Sequence, residues 1–185
     1  PYWDTLKIRD KILHVPYECY DPVVKFISDA ADDENVLAIK MTLYRTGRDS
    51  PIIDALERAA QRGKQVTVLV ELKARFDEER NIAWANELEQ AGVTVIYGLK
   101  NLKVHAKILM VIRRESDTIR RYVHLATGNY NPKTAKLYSD ISLFTSNPQI
   151  ANDATLFFNL VTGYSTIQKM NCLGMAPVTI KSRIL

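Results

Sequence analysis

The stretch "NVLAIKMTLYRTGRDSPIIDALERAAQRGKQVTVLVELK", residues 35–73, decides the fold because it contains a strand, a helix and a second strand in succession. Its two ends are apolar runs of strand length bounded by polar turns. Between them, Ser50 and Pro51 suit the start of a helix, and Gly63 suits its end. Such alternation predicts parallel strands joined by right-handed crossovers, with the helix packed on the sheet.

The pattern continues and then changes along the chain. Residues 77–92 predict another helix and residues 93–98 a third strand. After them, "KVHAKILMVIRR", residues 103–114, and "RRYVHLATG", residues 120–128, predict an antiparallel hairpin. "SDISLFTS", residues 139–146, predicts one more strand. We therefore expect an α/β fold with a mixed β-sheet.

Two further helices are predicted from their starting residues. One begins at Asp21, which we expect to be its cap, with Pro22 at the first helical position. The other closes the domain after a cap at Asn147, followed by Pro148. Residues 21–163 form the predicted domain. Residues 1–20 are an irregular approach that could hold a strand at residues 12–17, and residues 164–185 are an exit segment toward a neighbour.

The composition is that of a globular protein. Hydrophobic residues make up 46% and charged residues 25% of the 185 residues, and the longest apolar runs are far shorter than a membrane span. Cys19 and Cys172 show no metal-ligand spacing, so we expect two reduced, buried thiols and a cytoplasmic location. The net charge of +4 is scattered along the chain, which permits an anionic ligand but does not demand nucleic acid. Because the chain begins without methionine, we expect a piece of a longer protein.

His105 and Lys107 are the first candidate site residues. Strand alternation puts both side chains on the same face of the predicted strand. An imidazole can attack phosphorus, and a nearby ammonium can offset the charge of phosphoryl oxygens. The alternative is a core histidine beside an exposed lysine.

Two arginines and a turn add to this candidate site. Arg45 and Arg75 each follow the carboxyl end of a predicted parallel strand, where ligands collect in such sheets. Their planar guanidinium groups suit phosphate oxygens, although both could instead be solvated loop residues. Asn129 and Asn131 lie in a turn beside the strand that bears His105, and could bind an anion or serve only as turn residues. Tyr138 follows this turn and could reach a ligand.

Several of these motifs together resemble a known family. "HAK" followed by "TGNYN" resembles the His-x-Lys half-motif of the phospholipase D superfamily. "LYRT", "ELKARFDE", "NLKVHAKI" and "GNYNPKTAKLYSD" occur together and in the order of its polyphosphate kinase branch. The resemblance extends from about Asp21 to Gly163 and implies a phospholipase D-like fold, with a mixed sheet flanked by helices on both faces.

The resemblance also implies an activity and the residues that perform it. Enzymes of this branch transfer the terminal phosphate of ATP reversibly to inorganic polyphosphate through a phosphohistidine, with Mg²⁺ as cofactor. His105 matches the nucleophile and Tyr138 a residue that contacts ATP or ADP. Arg45 and Arg75 match the family's magnesium and phosphate site. Arginine has no lone pair to donate, so we expect both to act on the metal indirectly, through phosphate oxygens.

The same resemblance implies missing parts and partners. The chain matches the first of two related C-terminal domains, and it carries a single His-x-Lys motif. The second histidine would come from the other domain, so we expect this piece to fold alone and to catalyse little or nothing alone. The parent enzyme is expected to be a homo-oligomer in the cytoplasm, with peripheral membrane association also open.

Two alternatives from other classes stay open at this point. One is a phospholipase D-like phosphodiesterase or nuclease, although the aspartate that phospholipase D places five residues after the motif lysine is Ile112 here. The other is a non-catalytic module that binds polyanions with a steep salt dependence. Substitution of His105 would abolish turnover in the enzymes and leave binding unchanged in the module.

Overall fold

The fold is a seven-stranded sheet with helices on both faces. The computed structural model describes residues 2–44, 50–71, 78–98, 102–163, 166 and 169–185. Its strands are β1 (Lys11–Val15), β2 (Val36–Leu43), β3 (Gln65–Val70), β4 (Thr94–Tyr97), β5 (Lys107–Arg114), β6 (Ile119–Ala126) and β7 (Asp140–Thr145). Its helices are α1 (Tyr2–Ile8), α2 (Asp21–Asp32), α3 (Pro51–Gln61), α4 (Glu78–Gln90), α5 (Pro148–Val161) and α6 (Ile180–Ile184), with a 3₁₀ turn at Thr134–Lys136.

The strands lie in the order β1-β7-β6-β5-β2-β3-β4. β2, β3 and β4 are parallel, and the other neighbouring pairs are antiparallel, so the predicted mixed sheet is confirmed. Successive residues of β5 point to opposite faces: Leu109 packs in one apolar core and Met110 in the other. Helices α1 to α4 contribute to the first core, and α5 covers the second. The predicted helices on both faces are therefore also confirmed.

In residues 1–20 the prediction of an irregular approach is wrong for helix α1, whereas the predicted strand at residues 12–17 is confirmed in part by β1. Residues 1–20 contain α1 and β1, and β1 pairs with β7 at the edge of the sheet. In α1, Trp3 is buried against the rings of Phe26 and Tyr122, with ring centroids 5.3 and 4.8 Å apart. A seven-residue helix is too short to show a helical period in sequence, and long-range packing stabilises it instead.

The helix starts follow the sequence signals only in part. Asn147 caps α5 as predicted, because its side-chain oxygen accepts hydrogen bonds from the amides of Gln149 and Ile150. In α2 the capping position is occupied by Tyr20, and Asp21 is the first helical residue, so the predicted cap is wrong by one position. Asp21 still stabilises α2 there, since an acidic side chain in the first turn complements the helix dipole.

The segment after α5 is attached to the domain by buried polar contacts. The carboxylate of Asp153, in α5, accepts hydrogen bonds from the amides of Asn171, Cys172 and Leu173. The guanidinium of Arg183 donates to backbone carbonyls of the same turn. Residues 169–185 are therefore folded onto α5, and their role as an exit toward another domain stays a prediction.

Two sequence expectations concern the surface. Cys19 and Cys172 are free thiols, but both are exposed in irregular segments, so the prediction that they are buried is wrong. Within the described ranges, no helix combines the length and the apolar character that a membrane span requires.

A network of charges around Glu115 joins α1 to the hairpin of β5 and β6. The Glu115 carboxylate lies 2.6 Å from the Nζ of Lys7 and 2.9 Å from the Nη1 of Arg113, and it accepts a 2.6 Å hydrogen bond from the Tyr122 hydroxyl. Its side chain is 7% exposed. Burial alone would raise the pKa of Glu115, but these three partners favour the charged form and hold the pKa at about 2.

This low pKa predicts a specific loss of stability in acid. A carboxyl group whose pKa falls on folding stabilises the folded state above its unfolded pKa, near 4.5, and loses that contribution as the pH falls toward 2. The shift corresponds to about 3 kcal/mol at neutral pH. Urea unfolding at pH 7, 5, 4 and 3 should show Glu115→Gln to be less stable than the wild type at pH 7, with the difference shrinking below pH 4.5.

The exposed Asp117, two residues along the hairpin, supplies the matched control. Asp117→Asn should leave the acid dependence of the free energy of unfolding unchanged. An equal deficit of Glu115→Gln at pH 7 and pH 3 would show that the network is held by packing rather than by charge.

Candidate active site

The sheet topology brings the candidate residues to one edge. β5 is antiparallel to β2, and Leu109 faces Met41, so the amino end of β5 lies beside the carboxyl end of β2. On the other side of β5, Lys107 faces Ala126 at the carboxyl end of β6. Ala126 in turn faces Ser142, near the start of β7. The segments that follow β2, precede β5, follow β6 and precede β7 therefore meet at this edge.

His105 and Lys107 form the centre of this edge. The Nζ of Lys107 lies 2.8 Å from Nδ1 and 3.0 Å from Nε2 of His105, and it donates a 2.7 Å hydrogen bond to the His105 carbonyl. Because the first two distances are nearly equal, the ammonium lies close to both ring nitrogens and is not aligned with the lone pair of either one. The sequence predicts His105 within a strand. β5 begins only at Lys107, so His105 lies just before the strand and this prediction is wrong by two residues.

Burial separates the two side chains. His105 is exposed, whereas Lys107 is only 7% exposed. Desolvation lowers the pKa of Lys107, and the carboxylate of Asp140 opposes this effect without reversing it. The ring of Tyr44 meets the His105 ring edge-on, with centroids 5.2 Å apart, and lies 5.9 Å from the Lys107 Nζ. An exposed imidazole thus stands over a buried cation.

Side chains on β2 and just beyond β3 form hydrogen bonds with the backbone of the segment that carries His105. The Thr42 hydroxyl, on β2, donates to the carbonyl of Ala106 at 2.7 Å and accepts from the amide of Ile108 at 3.1 Å. The carboxylate of Glu71, just beyond β3, accepts from the amide of Val104 at 2.8 Å. Glu71 is 3% exposed.

The turn after β6 approaches the same edge closely. Thr127 donates a 2.8 Å hydrogen bond to the Asp140 carboxylate. A Cβ at Gly128 would lie 2.5 Å from the Asp140 carboxylate, so this position requires glycine because of close approach. The side-chain oxygen of Asn129 is buried and has no hydrogen-bond partner among the described residues. Asn131 accepts from the amides of residues 133 and 134 and so caps the 3₁₀ turn.

His124 supports this turn from below. It is fully buried, and its Nδ1 lies 2.8 Å from the hydroxyl of Tyr130. Burial lowers its pKa to about 3, so the ring is neutral at physiological pH. Its position in the core gives this histidine a structural role.

An apolar cavity of about 640 Å³ opens beside the His105 segment. Its walls come from the segment that precedes β5, from α5 and from the chain that follows α5, including Leu102, Phe157, Met170 and Leu173. His105 and Lys107 lie at its border.

Comparison with known proteins identifies the family. Residues 1–167 match the family model described as polyphosphate kinase C-terminal domain 1. The chain belongs to the polyphosphate kinase family. Polyphosphate kinase from Bacillus cereus is 58% identical over 177 residues, covering 96% of this chain and 25% of that protein. The enzyme from Halalkalibacterium halodurans is 56% identical over 183 residues, covering 99% of this chain and 26% of that protein. The chain spans about a quarter of the length of these relatives.

Solved structures of a polyphosphate kinase and of a phospholipase D family member are similar to this chain. The crystal structure of polyphosphate kinase from Porphyromonas gingivalis is similar with a TM-score of 0.80 and 38% identity, covering 90% of this chain and 28% of that chain. Nuc from Salmonella typhimurium, a phospholipase D family member, has a TM-score of 0.60 at 18% identity, covering 84% of this chain and 93% of that chain. The likeness to Nuc shows the shared fold, so the predicted phospholipase D-like fold is confirmed.

Only some of the predicted site residues lie together at the common edge of the sheet. His105, Lys107 and Asn129 lie at the common edge, whereas Arg45 and Arg75 lie outside the described residues. The side-chain oxygen of Asn131 is engaged in capping. Tyr138 follows the 3₁₀ turn and is 64% exposed, which leaves its ring accessible to a ligand.

Thr42 and Glu71 were not singled out from the sequence of this polyphosphate kinase domain. Both stand at the ends of predicted strands, where polar residues are common, and their partners lie 33 to 66 residues away. The available signal was their position at the carboxyl ends of two neighbouring parallel strands, the same signal that selected the two arginines.

Proposed function

We propose that this domain catalyses the reversible transfer of the terminal phosphate of ATP to inorganic polyphosphate, with His105 as the phosphorylated nucleophile. The observation that carries the proposal is the contact between the exposed imidazole of His105 and the buried ammonium of Lys107 in a domain of the polyphosphate kinase family. A nucleophile needs access to its substrate, and the charge that develops on the phosphoryl oxygens needs a cation held in a poorly solvated place.

The transfer takes place in two displacements. In the first, a lone pair of neutral His105 attacks the terminal phosphorus of ATP, a nitrogen–phosphorus bond forms, and the bond to the bridging oxygen breaks to release ADP. In the second, a terminal oxygen of polyphosphate attacks the same phosphorus, and the nitrogen–phosphorus bond breaks to restore the imidazole. Each displacement reverses, so ADP and a longer polyphosphate can return ATP.

Lys107 stabilises the transferring group in this proposal. Its ammonium already lies within 3.0 Å of both ring nitrogens, and therefore close to any phosphorus bonded to either one. Asn129 lies in the turn at the same edge, its buried side-chain oxygen has no hydrogen-bond partner among the described residues, and its NH₂ group would donate to phosphate oxygens. Arg45 and Arg75 would bind further phosphate oxygens, Asn131 would keep the turn in shape, and Tyr138 would contact the nucleotide.

Mg²⁺ enters this proposal with the nucleotide. In the parts of the chain that the structure describes, no group of three or more His, Cys, Asp or Glu side chains could hold a metal ion. These residues do not fit a resident metal site, so we assign Mg²⁺ to the phosphate oxygens of ATP.

The domain works as part of a larger enzyme in this proposal. The chain spans about a quarter of its relatives, and the first of two related C-terminal domains would require the second for a complete site. The other domains of the same chain and further subunits are therefore its partners, and the cytoplasm supplies its ATP. We expect the 185-residue piece alone to show no ATP-dependent polyphosphate synthesis, measured by phosphate incorporation from labelled ATP. Robust synthesis by the piece would contradict the proposed division of the site.

The phosphorylated intermediate provides the direct test. The full-length protein that carries this chain is incubated with ATP and Mg²⁺ and digested, and its peptides are searched by mass spectrometry for an acid-labile phosphate on His105. We expect the phosphate on this residue and its absence from the wild-type protein incubated with ADP alone. Bound polyphosphate without any phosphohistidine would indicate a binding module, and cleavage of a chromogenic phosphodiester would indicate a phosphodiesterase.

A further inference from the structure

We infer that Thr42 and Glu71 are positioning residues, which hold residues 104–108 so that His105 and Lys107 both face the substrate. The inference rests on the proposed function, because it concerns the placement of the nucleophile. Thr42 and Glu71 both act through the backbone of the segment that carries His105.

The pairing of β2 with β5 ends before this segment. Its last paired residues are Met41 and Leu109, so main-chain pairing with β2 does not extend to the residues before Leu109. The Thr42 hydroxyl stands in their place, donating to the carbonyl of Ala106 at 2.7 Å and accepting from the amide of Ile108 at 3.1 Å. Thr42 is 3% exposed, so water does not compete for these bonds. One side chain thereby fixes the backbone on both sides of Lys107.

Glu71 fixes the other side of His105. Its carboxylate accepts a 2.8 Å hydrogen bond from the amide of Val104. Its own backbone amide donates a 3.2 Å hydrogen bond to the carbonyl of Leu43, which connects Glu71 to the carboxyl end of β2. The bond to Val104 therefore links the segment that precedes β5 directly to the end of β3.

The anchored positions alternate with the candidate catalytic residues. Val104, Ala106 and Ile108 are held through their backbone groups, and His105 and Lys107 lie between them. In an extended segment, residues two apart share a face, so fixing the first set orients the second set toward the other side. The distance between the imidazole and the ammonium is consequently set by residues of two neighbouring parallel strands.

A purely structural role would satisfy the same buried backbone groups without affecting the chemistry. The two roles differ in what a substitution changes. A positioning residue alters the rate of the step at His105 and leaves the binding of ATP nearly unchanged, because a displacement of about 1 Å can lower a rate about 10²-fold. A structural residue alters the stability of the fold.

The test uses Thr42→Val, which keeps the shape of the side chain and removes its hydroxyl. In the full-length protein, we expect the single-turnover rate of phosphohistidine formation at saturating ATP to fall by about 10- to 100-fold, with the KM for ATP within about twofold of the wild type. Thr42→Ser restores a hydroxyl and should recover most of the rate. Thr67→Val is the matched control, because Thr67 is likewise a buried threonine, but it lies inside β3 opposite Lys40 and Thr94 and should keep the wild-type rate.

Imidazole rescue separates positioning from general damage to the site. In His105→Gly, free imidazole in solution can accept the phosphoryl group in place of the tethered ring. Adding Thr42→Val to this variant should lower the rescued rate by much less than it lowers the rate in the wild-type background, since only Lys107 remains to be positioned. A further loss as large as that in the wild-type background would overturn the inference.

Glu71 provides an independent variant. Glu71→Ala should lower the rate as Thr42→Val does, and Glu71→Gln, which keeps an acceptor oxygen, should recover part of it. Folded Thr42→Val and Glu71→Ala proteins that are phosphorylated at the wild-type rate would overturn the inference, and so would loss of folding in both. Absence of phosphate on His105 in the wild type would instead refute the proposed function.

Discussion

Replacement of His105 by alanine in the full-length protein is expected to lower the rate of polyphosphate synthesis by at least about 10³-fold. The reason is that alanine has no lone pair with which to accept the phosphoryl group, and direct transfer would require both substrates to be held in line at once. The exposed position of His105 means that its removal leaves no buried cavity. The measurement is the initial rate of phosphate incorporation into polyphosphate, together with the amount of labelled phosphate on the protein.

The control for this substitution is another exposed histidine. His14 lies on the edge strand β1, where its Nε2 is 3.0 Å from the Ser139 hydroxyl. His14→Ala should retain the wild-type rate within about threefold, because surface substitutions away from a site have small effects. A His105→Ala protein that folds, binds ATP and still synthesises polyphosphate at the wild-type rate would show that His105 is not the nucleophile.

Replacement of Lys107 by methionine is expected to change activity and stability in opposite directions. Methionine has a similar length and no charge, so the folded protein no longer carries a desolvated ammonium, and the melting temperature should stay constant or rise. The rate of phosphohistidine formation should fall by about 10²- to 10³-fold, because the developing phosphoryl charge loses a cation that lies within 3.0 Å of the imidazole nitrogens. Thermal unfolding and single-turnover kinetics on the same preparation measure the two effects.

Two further measurements separate charge from packing at Lys107. Because burial lowers the pKa of this lysine, the wild-type rate should decline on the alkaline side at a pH below the ordinary value for lysine, and Lys107→Met should lack this decline. Lys103, exposed on the same segment, offers a matched control, and Lys103→Met should keep the wild-type pH profile. A large drop in melting temperature in Lys107→Met would mean that the ammonium stabilises the fold, contrary to the expectation.

The predictable part of the site depended on short-range patterns. The two-residue spacing of His105 and Lys107 predicts that they share a face, and their side chains lie within 3.0 Å of each other. The cap at Asn147 was predictable because its partners are the next two or three residues. The position of His105 within a strand was not, since strand assignment depends on pairing and β2 stops pairing before that residue.

The sequence by itself determined the order of strands and helices from α2 to α5, the antiparallel hairpin and the pair of candidate catalytic residues. Each of these follows from periodicity or capping over a few neighbouring residues, where local geometry and solvent exposure act together. The tertiary structure decided the burial of α1, the close approach of Gly128 to Asp140, and the support of the His105 segment by Thr42 and Glu71. Those contacts join residues far apart in the chain, and a polar side chain at a strand end acquires its partner only when the strand order is set.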